Sequence, residues 1–75
     1  MDMPIKVNSS IILEIDWHKY DWNNDGNLYV KFKKGEVTYR YYDVPKSVWE
    51  AFKASESKGS FFYQNIKPRY KFRRV

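Results

Sequence analysis

Residues 28–45, LYVKFKKGEVTYRYYDVP, decide the fold, because two period-two runs, a turn and a helix start follow one another within them. Leu28, Val30 and Phe32 alternate with Tyr29, Lys31 and Lys33, which sets apolar side chains on one side of a pleated strand and polar ones on the other. Lys34-Gly35-Glu36 supplies a turn. Beyond it Val37, Tyr39 and Tyr41 share one face while Thr38, Arg40 and Tyr42 share the other, in residue types that strands favour. Asp43-Val44-Pro45 ends this second run and opens a helix, since proline fits the first helical position, where its missing N–H is not needed. A two-stranded ribbon is unstable alone in water, so further elements must cover its apolar face.

Upstream, Ile11, Leu13, Ile15 and Trp17 fall on one face of a first strand, with Ile12, Glu14, Asp16 and His18 opposite. Residues 18–27, HKYDWNNDGN, are polar and rich in Asn, Asp and Gly, the composition of a hairpin loop. Residues 1–4 read as a loose end, because Pro4 donates no backbone hydrogen bond. Downstream, a helix is expected over residues 45–55 with an apolar stripe of Val48, Trp49, Ala51 and Phe52, and an exposed Lys46–Glu50 pair. Ser57 suits the N-cap of a second short helix that spaces Phe62 and Ile66 four apart and stops at Pro68. Residues 67–75, KPRYKFRRV, alternate basic with apolar positions. They read as an extended segment laying Tyr70, Phe72 and Val75 against the core. The expected fold is a single α+β domain over residues 1–75: a small antiparallel three-stranded β-sheet, a meander, packed against two short C-terminal helices, with an extended basic C-terminal tail.

At 75 residues, a domain buries only about 60% of the surface of its unfolded chain. With no cysteine, neither disulfides nor thiolate metal sites supplement the core. Aromatic residues make up 20% of the chain, and each buried ring removes roughly 150–250 Å² from water, which offsets part of the shortness. No apolar run approaches the ~20 residues of a membrane span, and the first residues lack the regions of a signal peptide; a cytoplasmic protein away from membranes is expected. The net charge of +5 is unevenly spread. Residues 1–56 hold eight Lys or Arg against nine Asp or Glu, a net of −1, whereas residues 57–75 hold six cations, Lys58, Lys67, Arg69, Lys71, Arg73 and Arg74, and no acid.

Two constellations bear on chemistry. Asp21, Asn23, Asp25 and Gly26 match the first half of a calcium-binding EF-hand loop, but its twelfth position is Phe32 in place of a bidentate Glu, and strands flank it. A plain Asp-Gly hairpin turn is the better reading, with no metal. His18 is the only histidine, and no Ser-His-Asp or paired-carboxylate arrangement suggests itself, so no catalytic residues are assigned and no cofactor is expected. Glu14 and Asp16, two apart on one strand face, read as solvated surface. Tyr39 and Tyr41 either stack bases or fill the core under the helices; sharing a face with Val37 favours the core.

The pattern Val7-x-Ser9-Ser10-x-Ile12, Leu28-x-Val30-x-Phe32-x-x-Gly35, Tyr39-Arg40-Tyr41, Val44-Pro45, Ser57-x-Gly59-x-Phe61-Phe62, Ile66 and the Arg-Tyr ending closely resembles the KTSC domain. That family is named for its occurrence at the C-terminus of some lysyl-tRNA synthetases and also occurs as a free-standing small protein. The resemblance covers nearly the whole chain. The first hairpin loop is longer and richer in Asn and Asp than the family pattern, and Tyr63 stands where the family usually shows Asn, so no role of an Asn side chain is carried over there. The synthetase context of the family implies RNA as a partner.

The acid-free final quarter points independently to nucleic acid, because cations on one connected surface neutralise phosphates and release counterions. The expected function is a small non-catalytic RNA-binding module. Its candidate contacts are Lys31, Lys33, Arg40, Tyr42, Lys67, Arg69, Lys71, Arg73 and Arg74, with Tyr29 beside Tyr42 as a stacking surface. The alternative is a protein–protein interaction module, an adaptor or inhibitor of a larger partner, which needs only an exposed edge strand or aromatic patch. The residues specify no oligomeric state.

Overall fold

The computed structural model describes residues 4–75; of the loose end expected at residues 1–4, only exposed Pro4 falls within them. The central hairpin forms as the sequence predicts. β3 (Asp25–Phe32) and β4 (Thr38–Pro45) pair antiparallel, with Leu28 opposite Tyr41 and Val30 opposite Tyr39. A 3-10 turn over Lys34–Glu36 joins them, and Gly35 takes φ 73° there, a left-handed conformation that glycine adopts without steric cost.

The sheet has five strands, not three. They lie in the order β1-β2-β3-β4-β5, all antiparallel. β1 (Ile5–Lys6) pairs with Glu14 and Ile15 of β2 (Ile12–Lys19). β5 (Phe72–Arg74) pairs with β4, setting Phe72 opposite Tyr41, Arg73 opposite Arg40 and Arg74 opposite Tyr39. Strands of two and three residues are too short to display a period of two; only pairing with a longer neighbour makes them strands. The expected tail is therefore an edge strand, closed by Tyr42 N–H to the Lys71 carbonyl and Val75 N–H to the Thr38 carbonyl, both 2.9 Å. Tyr70 packs against the core, Phe72 keeps one side against Tyr39 and Tyr41 while more than half of it is exposed, and Val75 is exposed.

The facing of β2 also differs from strict alternation. Ile12 sits opposite Phe32 but Glu14 opposite Lys31, so Leu13 is an extra residue, a bulge that turns the strand by one position. Ile12 joins Ile15 and Trp17 in the core, all at most 9% exposed, while Ile11 only flanks it and Leu13 is half-buried. Strand pairing also reaches into the expected loop, since β2 runs to Lys19 and β3 starts at Asp25.

After Pro45, α1 (Lys46–Ala54) lays Trp49 and Phe52 on the sheet; Ala51 is exposed, and Glu50 pairs with Lys53 at 2.8 Å instead of Lys46. Ser57 caps α2 (Lys58–Phe61) by accepting from Ser60 N–H at 3.2 Å, and a π-helical turn, Phe62–Ile66, continues it. The core lies between these helices and one face of the sheet. Trp17 stacks on Trp49 with centroids 6.4 Å apart and donates its indole N–H to the Val44 carbonyl at 3.0 Å, which satisfies the ring's polar end. Phe52 stacks on Phe61 at 5.3 Å, binding the two helices together. Among the described residues no helix covers the other sheet face.

Candidate nucleic-acid interface

On the open face, strand register lines up Asp16, Tyr29, Arg40 and Arg73 across β2, β3, β4 and β5. Alternation along β4 adds Tyr42 beside Arg40. The Arg40 guanidinium carbon lies 5.6 Å from the Tyr29 ring centroid and 5.9 Å from that of Tyr42, a cation between two aromatic rings. The Tyr42 and then the Tyr29 phenol hold its pKa above the ordinary guanidinium value, so Arg40 keeps its charge throughout the physiological range. Its Nε is shielded from solvent and has no hydrogen-bond partner among the described residues.

The β2 side of the same face carries two carboxylates, Glu14, which stands between Lys6 of β1 and Lys31 of β3 in the strand register, and Asp16. The largely buried Asp16 carboxylate accepts Trp17 N–H at 2.8 Å through Oδ1 and meets His18 Nε2 at 2.9 Å through Oδ2. His18 in turn packs edge-on against Tyr29, centroids 5.5 Å apart. Glu14, Lys31 and Thr38 close a hollow of about 300 Å³ beside this pair. Asp16 is therefore a partnered, largely buried group and not the solvated surface that its place in the sequence suggests. The signal that could have shown this is the spacing of Asp16 and His18, two apart on one strand and within reach of each other once the strand is extended.

The nine residues singled out from sequence do not share one surface. Arg40, Tyr42 and Arg73 come together on the open face, with exposed Lys71 just ahead of β5. Lys31 shares that face but lies 3.7 Å from Glu36, which offsets its charge. Lys33 is exposed at the turn. Lys67 and Arg74 lie on the helix side: the Lys67 ammonium sits 5.1 Å from the Tyr63 ring, and Arg74 stands opposite Tyr39 on β5. Arg69 lies apart from both groups, beside Ser47, Val48 and Ala51 at α1. Tyr39 and Tyr41 face the core as expected, Tyr41 buried and Tyr39 partly so.

A family model of the KTSC domain matches residues 8–70. The chain is also similar to a KTSC domain protein from Yersinia pestis of known crystal structure, with a TM-score of 0.85 and 30% sequence identity over 97% of this chain and 96% of that one. No curated protein matches the sequence. Among the described residues no three His, Cys, Asp or Glu side chains group as they would to hold a metal ion, and no helix is long and apolar enough to cross a membrane.

Proposed function

Starting from the premise that the chain belongs to the KTSC domain family, we propose that it is a non-catalytic module that binds single-stranded RNA across the β3–β5 half of its open sheet face. The carrying observation is the Tyr29–Arg40–Tyr42 stack with Arg73 directly across from Arg40. Rings on an uncovered sheet face offer stacking platforms to splayed bases, and stacked Arg adds a planar cation that serves base and phosphate alike. Cations at the β5 edge supply the backbone attraction that needs no sequence reading.

A protein-interaction reading draws on one specific feature, the free outer edge of β5 with Phe72 exposed beside it, to which an extended peptide could add as a strand. Capture of the tagged full chain from cells with and without nuclease separates the two. RNA that co-elutes only from the untreated sample is the expected result. A stoichiometric protein that survives nuclease, with no RNA in either sample, would replace the RNA reading.

A further inference from the structure

On the helix side of the β5 edge, a groove of about 270 Å³ is walled by six aromatic rings, Phe32, Tyr39, Tyr41, Phe62, Tyr63 and Phe72. Edge-on contacts fix this wall: Phe32 meets Tyr39 at 5.7 Å and Phe62 at 5.2 Å, and Phe72 meets Tyr39 at 5.5 Å. Phe72 and Tyr63, at its mouth, are 56% and 52% exposed, an unusual state for two large rings on one opening. The polar groups are few and of one kind. Lys67 stands at the rim, no acid among the described residues lines the groove, and Arg74 lies on the same side of β5 opposite Tyr39.

We propose that this groove is a pocket for a single nucleobase whose phosphate pairs with Lys67. The volume lies just under the range of ligand pockets, about 300–1,000 Å³, which suits one flat ring system and excludes a folded segment. Aromatic walls bind any base through its π-face. The charge decides among occupants. A methylated ammonium, the usual guest of aromatic cages, would meet the Lys67 ammonium already seated against Tyr63. A proline-rich peptide, which also uses aromatic grooves, would gain nothing from Lys67 and Arg74, whereas a nucleotide brings an anion to them. The pocket rests on the single-strand reading for its source of nucleotides and extends it, because a strand crossing the open face at Arg73 reaches the groove by turning over β5.

The test is a titration of the full-length protein with adenosine, adenosine 5′-monophosphate and a short oligoadenylate, followed by NMR of the aromatic rings and of Arg40. Saturable shifts of Phe72 and Tyr63 are expected with the monophosphate and the oligomer, and weaker ones with adenosine. Replacing exposed Phe72, Phe72→Ala, should weaken monophosphate binding by about 5- to 150-fold. Lys67→Gln should remove the advantage of the monophosphate over adenosine. Oligoadenylate that moves Tyr29 and Arg40 but leaves Phe72 and Tyr63 unmoved overturns the pocket and leaves the open-face reading standing. Groove shifts with the monophosphate while the open face stays silent even with the oligoadenylate would uphold the pocket and remove that reading. A proline-rich peptide that shifts the groove rings where nucleotides do not would overturn the pocket in favour of a protein ligand.

Discussion

A Cβ added to Gly26 would lie 2.8 Å from the Trp17 ring and closer still to the backbone carbonyl of His18, so the β2–β3 hairpin closes only around a residue without a side chain. Backbone cannot give way as a flexible side chain can. Gly26→Ala is expected to cost about 2–3 kcal/mol, read as a lowered urea midpoint with an unchanged slope; an unchanged midpoint would mean the strands separate there without penalty. Tyr41 makes a second prediction at this scale. Its phenol, pushed up to about 12 from an ordinary 10 by burial, loses its proton in the unfolded chain first. The unfolded state therefore binds fewer protons between those pH values, and stability falls as pH rises through that window. The burial-derived contribution is fully present below about pH 10 and gone above about pH 12. Its loss, roughly 2 kcal/mol, should vanish from the alkaline limb in Tyr41→Phe. An identical limb in both proteins would show that Tyr41 ionises as freely folded as unfolded.

Among elements, β5 is the one whose pairing the sequence conceals and whose position matters most for binding. It shields the outer edge of β4 and places Phe72 against Tyr39 and Tyr41. Ending the chain after Tyr70 should cost about 2 kcal/mol, because backbone bonds and ring packing go with the strand, and should leave β4 as a long bare edge, prone to pair with another copy. A lower melting point and concentration-dependent dimers by light scattering would be seen; a monomer of unchanged melting point would make β5 dispensable. The central hairpin and α1 are legible in the sequence because Leu28, Val30, Trp49 and Phe52 carry periods long enough to read. The β2 facing is not, because a bulge at Leu13 breaks the alternation that such reading relies on. The candidate site is half legible. Strand alternation places Arg40 and Tyr42 on the open face, but the split of Lys67, Arg69 and Arg73 among separate places follows from turns and a short strand that composition does not encode.

At the scale of the whole molecule, the excess positive charge of residues 57–75 is divided by the sheet into two fields, and this decides how the salt dependence of binding must be dissected. A charge count alone would make all cations of that stretch equivalent. The structure instead groups Arg73 with Arg40 on the open face and sets Arg69 apart, against α1. Removing one cation that neutralises a phosphate of a single strand flattens the slope of log affinity against log salt by about 0.7. Arg40→Gln combined with Arg73→Gln should therefore flatten it by about 1.4 and weaken binding to unrelated RNAs alike, because attraction to the nucleic-acid backbone carries no sequence information. Arg69→Gln should leave slope and affinity unchanged. Both variants should stay folded, since Arg73 and Arg69 are exposed and Arg40 lies on the face away from the core, where a long side chain covers surface with its stem. A circular dichroism spectrum and melting curve check this before binding is compared. Flattening by Arg69→Gln of about 0.7, the same per charge as in the double variant, would mean that the field of the whole chain, not the open face, attracts the strand. No flattening by either would remove the open face as a phosphate-binding surface and leave the β5 edge as a site for a protein partner.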